Sequence, residues 1–228
     1  MNVLRQVVIS VATAILPLFF TLPLGPAHVS AAQVHSLISS GAYENLLDLV
    51  FSHEQPLVSQ LQYSMVLRFM SSSHTETEVV LNAFNGGKRA EATLFRISGA
   101  SAWNTANDYI QGTGKSDLGG IAKLVHVTKQ VFPLSTDQAA LWHSEFVKSL
   151  EQSSQELQQQ LSTLEQTGET TIVLDGTTYD LRYEQGATQL RWEVMDEEVS
   201  DSESVGHSAL AKWMNEIRRY AIDHTAKP

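Results

Sequence analysis

The period-two alternation of residues 170–195, TTIVLDGTTYDLRYEQGATQLRWEVM, constrains this chain more than any other stretch. At its centre Asp175 and Gly176 tolerate the positive φ that a two-residue type I′ hairpin demands at both central positions. That turn sets Leu174 opposite Thr177, Ile172 opposite Tyr179 and Thr170 opposite Leu181. One face then carries Ile172, Leu174, Tyr179, Leu181 and Tyr183. The other carries Thr171, Thr178, Asp180, Arg182 and Glu184, with Val173 the apolar exception. After Gln185 and Gly186 the alternation resumes, Leu190, Trp192 and Val194 against Gln189, Arg191 and Glu193. The spacing predicts a three-stranded antiparallel meander with one apolar and one wet face. Such a sheet needs a cover, which the amphipathic helices on either side of it in sequence supply.

The chain has 228 residues, 43% hydrophobic and 18% charged, which suits a single globular domain with an adequate core over residues 33–228. Residues 1–32 read as an export signal: Arg5 is the positive start, Val7 to Leu24 the apolar run, and Gly25 and Pro26 break it before Val29, Ser30, Ala31 and Ala32. Cleavage is expected after Ala31 or Ala32. An uncleaved anchor is the competing reading, against which Pro17 and Pro23 weigh. The expected location is extracytoplasmic, periplasmic or secreted, with membrane contact only through that segment. With no cysteine there is neither a lipid-bearing Cys nor a disulfide framework, so the core must hold the fold.

The formal charge is −10, and loss of Arg5 leaves 14 basic residues against 25 acidic ones, or −11. Nucleic acid is excluded as a partner, because its binding depends on Lys and Arg replacing counterions. An anionic membrane surface is disfavoured on the same ground.

Along the chain, Leu46, Leu47, Leu49, Val50 and Phe51 predict a helix from about Ala42 to His53, with Pro56 closing it. Tyr63, Met65, Leu67 and Phe69 alternate with Gln62, Ser64 and Arg68 as a strand. Val79 to Phe84 and Glu91 to Ser98 are further strands, joined by a turn at Asn85, Gly86, Gly87 and Lys88. A helix follows over Ser101 to Gln111, then a small-residue connector from Gly112 to Gly120 and a strand from Ala122 to Phe132, ending at Pro133. Thr136 or Asp137 caps a long helix on which Trp142, Phe146, Leu150, Leu157, Leu161 and Leu164 form a stripe, interrupted at Ser153. That interruption suggests a separate or protruding Gln-rich half. The last helix, Ser208 to Ile222, buries Leu210, Trp213, Met214, Ile217 and Tyr220. Each meander precedes a Trp-bearing helix, which hints at a duplicated unit, although the two sequences do not align.

The chemical candidates are weak. Gly112, Gly114, Lys115 and Ser116 resemble the end of a phosphate loop, but Tyr109 stands where the first Gly is required. Gly206, His207 and Ser208 resemble a nucleophile elbow without its closing Gly, since Leu210 stands there, and only Asp223 and His224 follow. Ser208 is more simply a helix cap, as is Ser101, where Trp103 replaces the Gly. His74, Glu76 and Glu78 share one face of an extended segment and would form at most a weak Zn²⁺ site. His143 and Glu145 lack the helical spacing of a zinc motif. Asp196, Glu197, Glu198, Asp201 and Glu203 lack the pattern of a Ca²⁺ loop. Trp103, Trp142, Trp192 and Trp213 lie on the apolar sides of their elements and are expected in the core.

No catalytic, cofactor-binding or metal-binding residue is assigned, and no cofactor. The expected fold is α+β, a predominantly antiparallel sheet of about six or seven strands in two meanders, covered on one side by about three or four helices. The expected role is that of an exported, non-enzymatic protein binding a protein partner or an apolar small molecule. The alternative is an exported hydrolase whose scattered site no local motif reveals.

Overall fold

Gly86 and Gly87 adopt φ of 86° and 62°, the left-handed region their sequence suits, and turn β2 (Thr77–Phe84) back as β3 (Ala90–Ser98). The structure, a computed structural model, describes residues 38–52, 60–71, 75–87, 89–167, 176–197 and 208–225. β1 (Leu61–Ser71) precedes β2, and β4 (His126–Leu134) follows β3, each neighbour antiparallel. Gly186, at φ 57°, turns β5 (Gly176–Gln185) into β6 (Thr188–Glu197), with Gln185 paired to Thr188. All lie in one antiparallel sheet of six strands, ordered β4-β3-β2-β1-β5-β6. The first expected meander and the two described strands of the second therefore share a single sheet.

The join is β1 against β5, from Ser64 opposite Glu184 to Ser71 opposite Thr177. The expected pairing of residues 170–174 with 177–183 is overturned by it. Leu181 has Leu67 on one side and Trp192 on the other, so no edge of β5 is left for a hairpin through Asp175. Residues 170–174 themselves lie outside the described residues.

Among the described residues five helices cover the sheet, on both faces rather than on one. On the first face β1, β2, β3 and β5 contribute Met65, Leu67, Phe69, Leu81, Leu94, Tyr179 and Leu181, and α4 (Thr136–Thr167) and α5 (Ala209–Thr225) close over them. Trp142, Phe146, Trp213, Met214 and Ile217 are their buried contribution, as the helical spacing implied. On the second face Val80, Phe95 and Ile97 meet α1 (Ser40–Val50), α2 (Ala102–Thr113) and α3 (Leu118–Ala122) through Leu46, Leu47, Ala106 and Ile121. α2 and α5, the Trp-bearing helices that follow the two expected meanders, thus lie on opposite faces of the sheet. That geometry gives the idea of a duplicated unit no support.

Caps account for the helix boundaries. Ser39 accepts from the Ala42 amide, so α1 starts earlier than expected and takes Gly41 into its first turn. α1 gives way at Phe51, and Pro56 lies outside the described residues. Ser135, not Thr136 or Asp137, caps α4 by accepting from Gln138 at 3.1 Å. Asp117 caps α3, a helix formed within the expected connector and strand, so β4 begins four residues later than predicted, at His126 rather than Ala122. At Gly120 a Cβ would stand 2.7 Å from the Asp117 carboxylate and 3.0 Å from the Tyr109 hydroxyl, so a larger residue there would displace those side-chain ends. Pro133 lies inside β4, where an edge strand tolerates the missing donor.

α4 is continuous, and the break in its stripe has a use. Ser153 is buried and its hydroxyl accepts from the Leu210 amide at 2.9 Å, while Glu156 accepts from the Ala209 amide at 3.2 Å. The first turn of α5 is therefore capped from another helix as well as by Ser208, whose hydroxyl accepts from Ala211 at 3.1 Å. Ser153→Leu completes the apolar stripe yet removes a buried amide's acceptor. It is expected to destabilise the fold by about 1–3 kcal/mol, measured by urea denaturation against Ser153→Thr, which keeps the hydroxyl.

Candidate functional site

The densest set of functional groups lies where α1 crosses the second face of β2, β1, β5 and β6. Strand alternation puts Arg68, Glu78, Asp180, Arg182, Arg191 and Glu193 on that face, and the register sets Arg68 beside both Glu78 and Asp180. Helical spacing puts Glu44 and Asp48 on one side of α1. Together they form a continuous chain of ion pairs. Arg68 reaches Glu78 at 2.7 Å and Asp48 at 2.9 Å; Asp48 also takes Arg182 at 3.1 Å. Arg182 reaches Asp180 at 3.1 Å, Asp180 takes Arg191 at 3.0 Å, and Arg191 reaches Glu44 at 3.0 Å and Glu193 at 3.1 Å.

The centre of this seam is dry. Arg68 is 2% exposed, and Glu78 and Asp180 are buried with it. One guanidinium nitrogen of Arg68, Nη1, makes no hydrogen bond, but the group lies 5.7 Å from the centre of the Phe51 ring, where a cation is favoured by the π face. Burial opposes ionisation of Asp48, but the hydrogen bond and charge of Arg68, aided by Arg182, outweigh it and hold the carboxyl below its usual range. Glu193 goes the other way: burial and the nearby Glu44 charge raise it despite Arg191. The ion pairs of Asp48 and Glu44 clamp α1 onto the sheet.

A second carboxylate ties α1 to α2. Glu76 is buried, accepts from the Tyr43 hydroxyl, and accepts from the Ala102 and Trp103 amides at 3.1 and 3.3 Å. It thereby satisfies the N-terminus of α2 beside the Ser101 cap. Glu76 and Glu78 turn to different partners and do not converge on a metal; His74 lies outside the described residues. Among the described residues no group of three His, Cys, Asp or Glu side chains is placed to hold a metal ion.

A third cluster has no counterpart in the sequence analysis. His143 Nε2 lies 2.9 Å from the Tyr183 hydroxyl, which donates to Gln185 at 2.6 Å, and the imidazole packs on Tyr63 with ring centres 4.6 Å apart. Tyr63 donates to the Ala139 carbonyl at 2.8 Å. Burial lowers the His143 pKa, and burial with Tyr183 nearby pushes the Tyr63 phenol up to about 12. All three groups are thus held neutral at physiological pH. The local sequence holds no signal for this grouping, because it depends on β1 pairing with β5 beneath α4.

The weighed motifs resolve into caps and core. Ser101 caps α2, accepting from Asn104 at 3.1 Å, and Gly114 is the left-handed C-cap of the same helix, at φ 67°. Ser208 caps α5 at its start, whereas Asp223 and His224 stand near its end, about 23 Å away by helical rise. These three residues cannot meet as a catalytic triad; Gly206 and His207 lie outside the described residues. His224 instead stacks on Tyr220, ring centres 3.7 Å apart. Asp196 and Glu197 lie in β6, and Glu198, Asp201 and Glu203 outside the described residues. Trp142 and Trp213 are buried in the first core, Trp192 packs on it, and Trp103 packs on the second against Tyr43.

Arg68→Met leaves Glu78 buried without its main counter-charge and is expected to cost about 3–5 kcal/mol in urea denaturation. The double replacement Arg68→Met with Glu78→Met recovers most of that loss. Asp48 supplies a pH signature. Its folded pKa is depressed, so its contribution to stability is present above its unfolded value of about 3.9 and is lost as pH falls through the folded one. Asp48→Asn is therefore expected to lower stability at pH 7 and to leave it unchanged at the acid end of the titration, read from thermal melts across the range. Comparison of the chain with protein-family models, with curated proteins and with solved structures finds no match to any of them.

Proposed function

We propose that this chain is an exported, non-enzymatic protein that acts by binding a protein partner. The supporting observation is the aromatic layer between the sheet and its two long helices. Phe146 lies 5.1 Å from Tyr183 and 5.5 Å from Trp213, Trp142 lies 4.9 Å from Tyr220, and Tyr63 lies 6.3 Å from Tyr183, all between ring centres. Those rings are the side chains an apolar small molecule would use, and they are engaged with one another. Binding then falls to the surface, which favours a macromolecule over an apolar ligand. The hydroxyls and carboxylates of the types catalysis uses, Ser101, Ser208, Glu76 and Glu78, cap helices or pair with Arg68.

The export part of the proposal is supported by Arg5, the apolar run from Val7 to Leu24 and the small residues from Val29 to Ala32. Among the described residues no helix is long and apolar enough to cross a membrane. Cell fractionation followed by native mass spectrometry of the endogenous protein tests both parts. The expected species is soluble, begins at Ala32 or Gln33, and carries a second polypeptide. A full-length, membrane-bound product makes the first segment an anchor. A chain free of any partner overturns the binding role, and a co-purifying apolar molecule transfers it to a small ligand.

A further inference from the structure

β4 is one edge of the sheet, and among the described residues no strand lies beyond it. An edge of nine residues presents a row of N–H and C=O groups ready to pair with another chain, and proteins usually blunt such edges with projecting charge, bulges or short length. The opposite edge, β6, is guarded in that way by Arg191 and Glu193, both tied into the ion-pair seam. β4 is not. Its one lysine, Lys129, lies over the sheet face with the amine 5.7 Å from the centre of the Phe95 ring, and the Gln130 amide turns back to donate to the Thr225 carbonyl at 3.2 Å. Pro133 stands next to the end of the strand and leaves residues 126–132 with their amides.

The side chains about this edge have a consistent chemistry. Val131 is 58% exposed, and Leu124, in the turn that leads into the strand, is 52% exposed. In a chain with 25 acidic residues, the stretch 118–135 has none, while it carries Lys123, His126 and Lys129. Arg96, on the neighbouring strand opposite Thr128, is exposed on the other face of the sheet, and Glu91, opposite Pro133, is paired with Arg89 at 2.8 Å. Lys129 and Val131 are two residues apart and so lie on the same face.

We infer that the free edge of β4 is a docking site for an extended, acidic segment of a partner protein, which adds as a seventh strand to the six described. This rests on the partner-binding role proposed above and names where and what it binds. Main-chain hydrogen bonds to the edge supply affinity that is independent of sequence. Specificity comes from an acid and an apolar residue spaced two apart on the incoming strand, meeting Lys129 and Val131. A second copy pairing through its own β4 is disfavoured, since two such edges bring lysines of like charge together.

The test uses the full mature chain and two synthetic peptides, acetyl-Thr-Glu-Thr-Val-Thr-Glu-Thr-amide, in which an acid and a valine stand two apart on one face, and the same peptide with every Glu replaced by Lys. The acidic peptide is expected to bind at least tenfold more tightly, to lose affinity as salt rises, and to slow amide exchange within residues 126–132. Lys123→Glu combined with Lys129→Glu is expected to weaken that binding by about tenfold or more. Equal binding of the two peptides, no binding, protection at β6 instead, or dimerisation through β4 overturns the assignment. The comparison of peptides and the exchange map on the unaltered chain stand even if the double variant folds poorly. If the native partner is recovered equally by the native and the doubly reversed chain, the edge assignment falls while the binding role stands. If the native chain brings no partner at all, the binding role itself falls.

Discussion

Every other feature of this fold depends on β1 lying against β5. The ladder joins residues as far apart as Leu67 and Leu181, so the intervening chain must be closed into a loop before any of its bonds form. Such non-local pairing is slow to find, and it is rewarded only when both faces of the joined sheet are covered together. Here the reward is twofold. On one face the pairing brings Phe69 beside Tyr179, ring centres 5.8 Å apart, beneath the two long helices; on the other it brings Arg68 beside Asp180.

The register of that ladder is specified from both sides. Slipping β5 by one residue would turn Tyr179, Leu181 and Tyr183 to the α1 side and Asp180 and Arg182 into the aromatic layer. An uncompensated carboxylate in that layer is costly enough to exclude the slipped state. Buried ion pairs add little net stability over apolar side chains of similar volume, so the seam of Arg68, Glu78 and Asp180 matters less as a source of strength than as a constraint on position. α1 carries the same dual character: Leu46, Leu47 and Phe51 anchor it in the second core, and Glu44 and Asp48 fix its angle across the strands.

The strands and helices were legible wherever one side of an element is buried and the other is not. β1, β2, β3 and α5 follow from alternation or helical spacing almost to the residue. Asp175 and Gly176 misled because a favourable turn dipeptide is a local preference, and the edge of β5 it would have used is taken by a strand more than a hundred residues away. Spacing places Arg68 on the polar side of its strand, but alternation reveals which side is polar and not whether a helix will cover it. The signal was distributed: Glu44 and Asp48 at helical spacing, and acids on the strands to either side. Ser153 looked like a flaw in a stripe and is a cap for another helix, a relation visible only once α4 and α5 are antiparallel neighbours. The His143 and Tyr183 pair was equally hidden, because 40 positions separate its members.

The use of polar groups inside the fold bears on where its function can lie. Glu76, Glu78, Asp117, Ser101, Ser153 and Ser208 each answer a helix terminus or a buried guanidinium, so altering any of them to create chemistry would first cost a cap or a counter-ion. A scaffold whose interior is committed in this way can still present backbone at an edge without disturbing what lies behind it. The two edges differ in that respect: β6 is bound into the ion-pair seam through Arg191, so a strand added there would meet charges already engaged, whereas β4 is backed by β3 and presents Val131 outward. The asymmetry between those edges follows where α1 sits, since its acids reach the strands on the β6 side, while the stretch 118–135 that forms the β4 edge carries Lys123 and Lys129 and no acid.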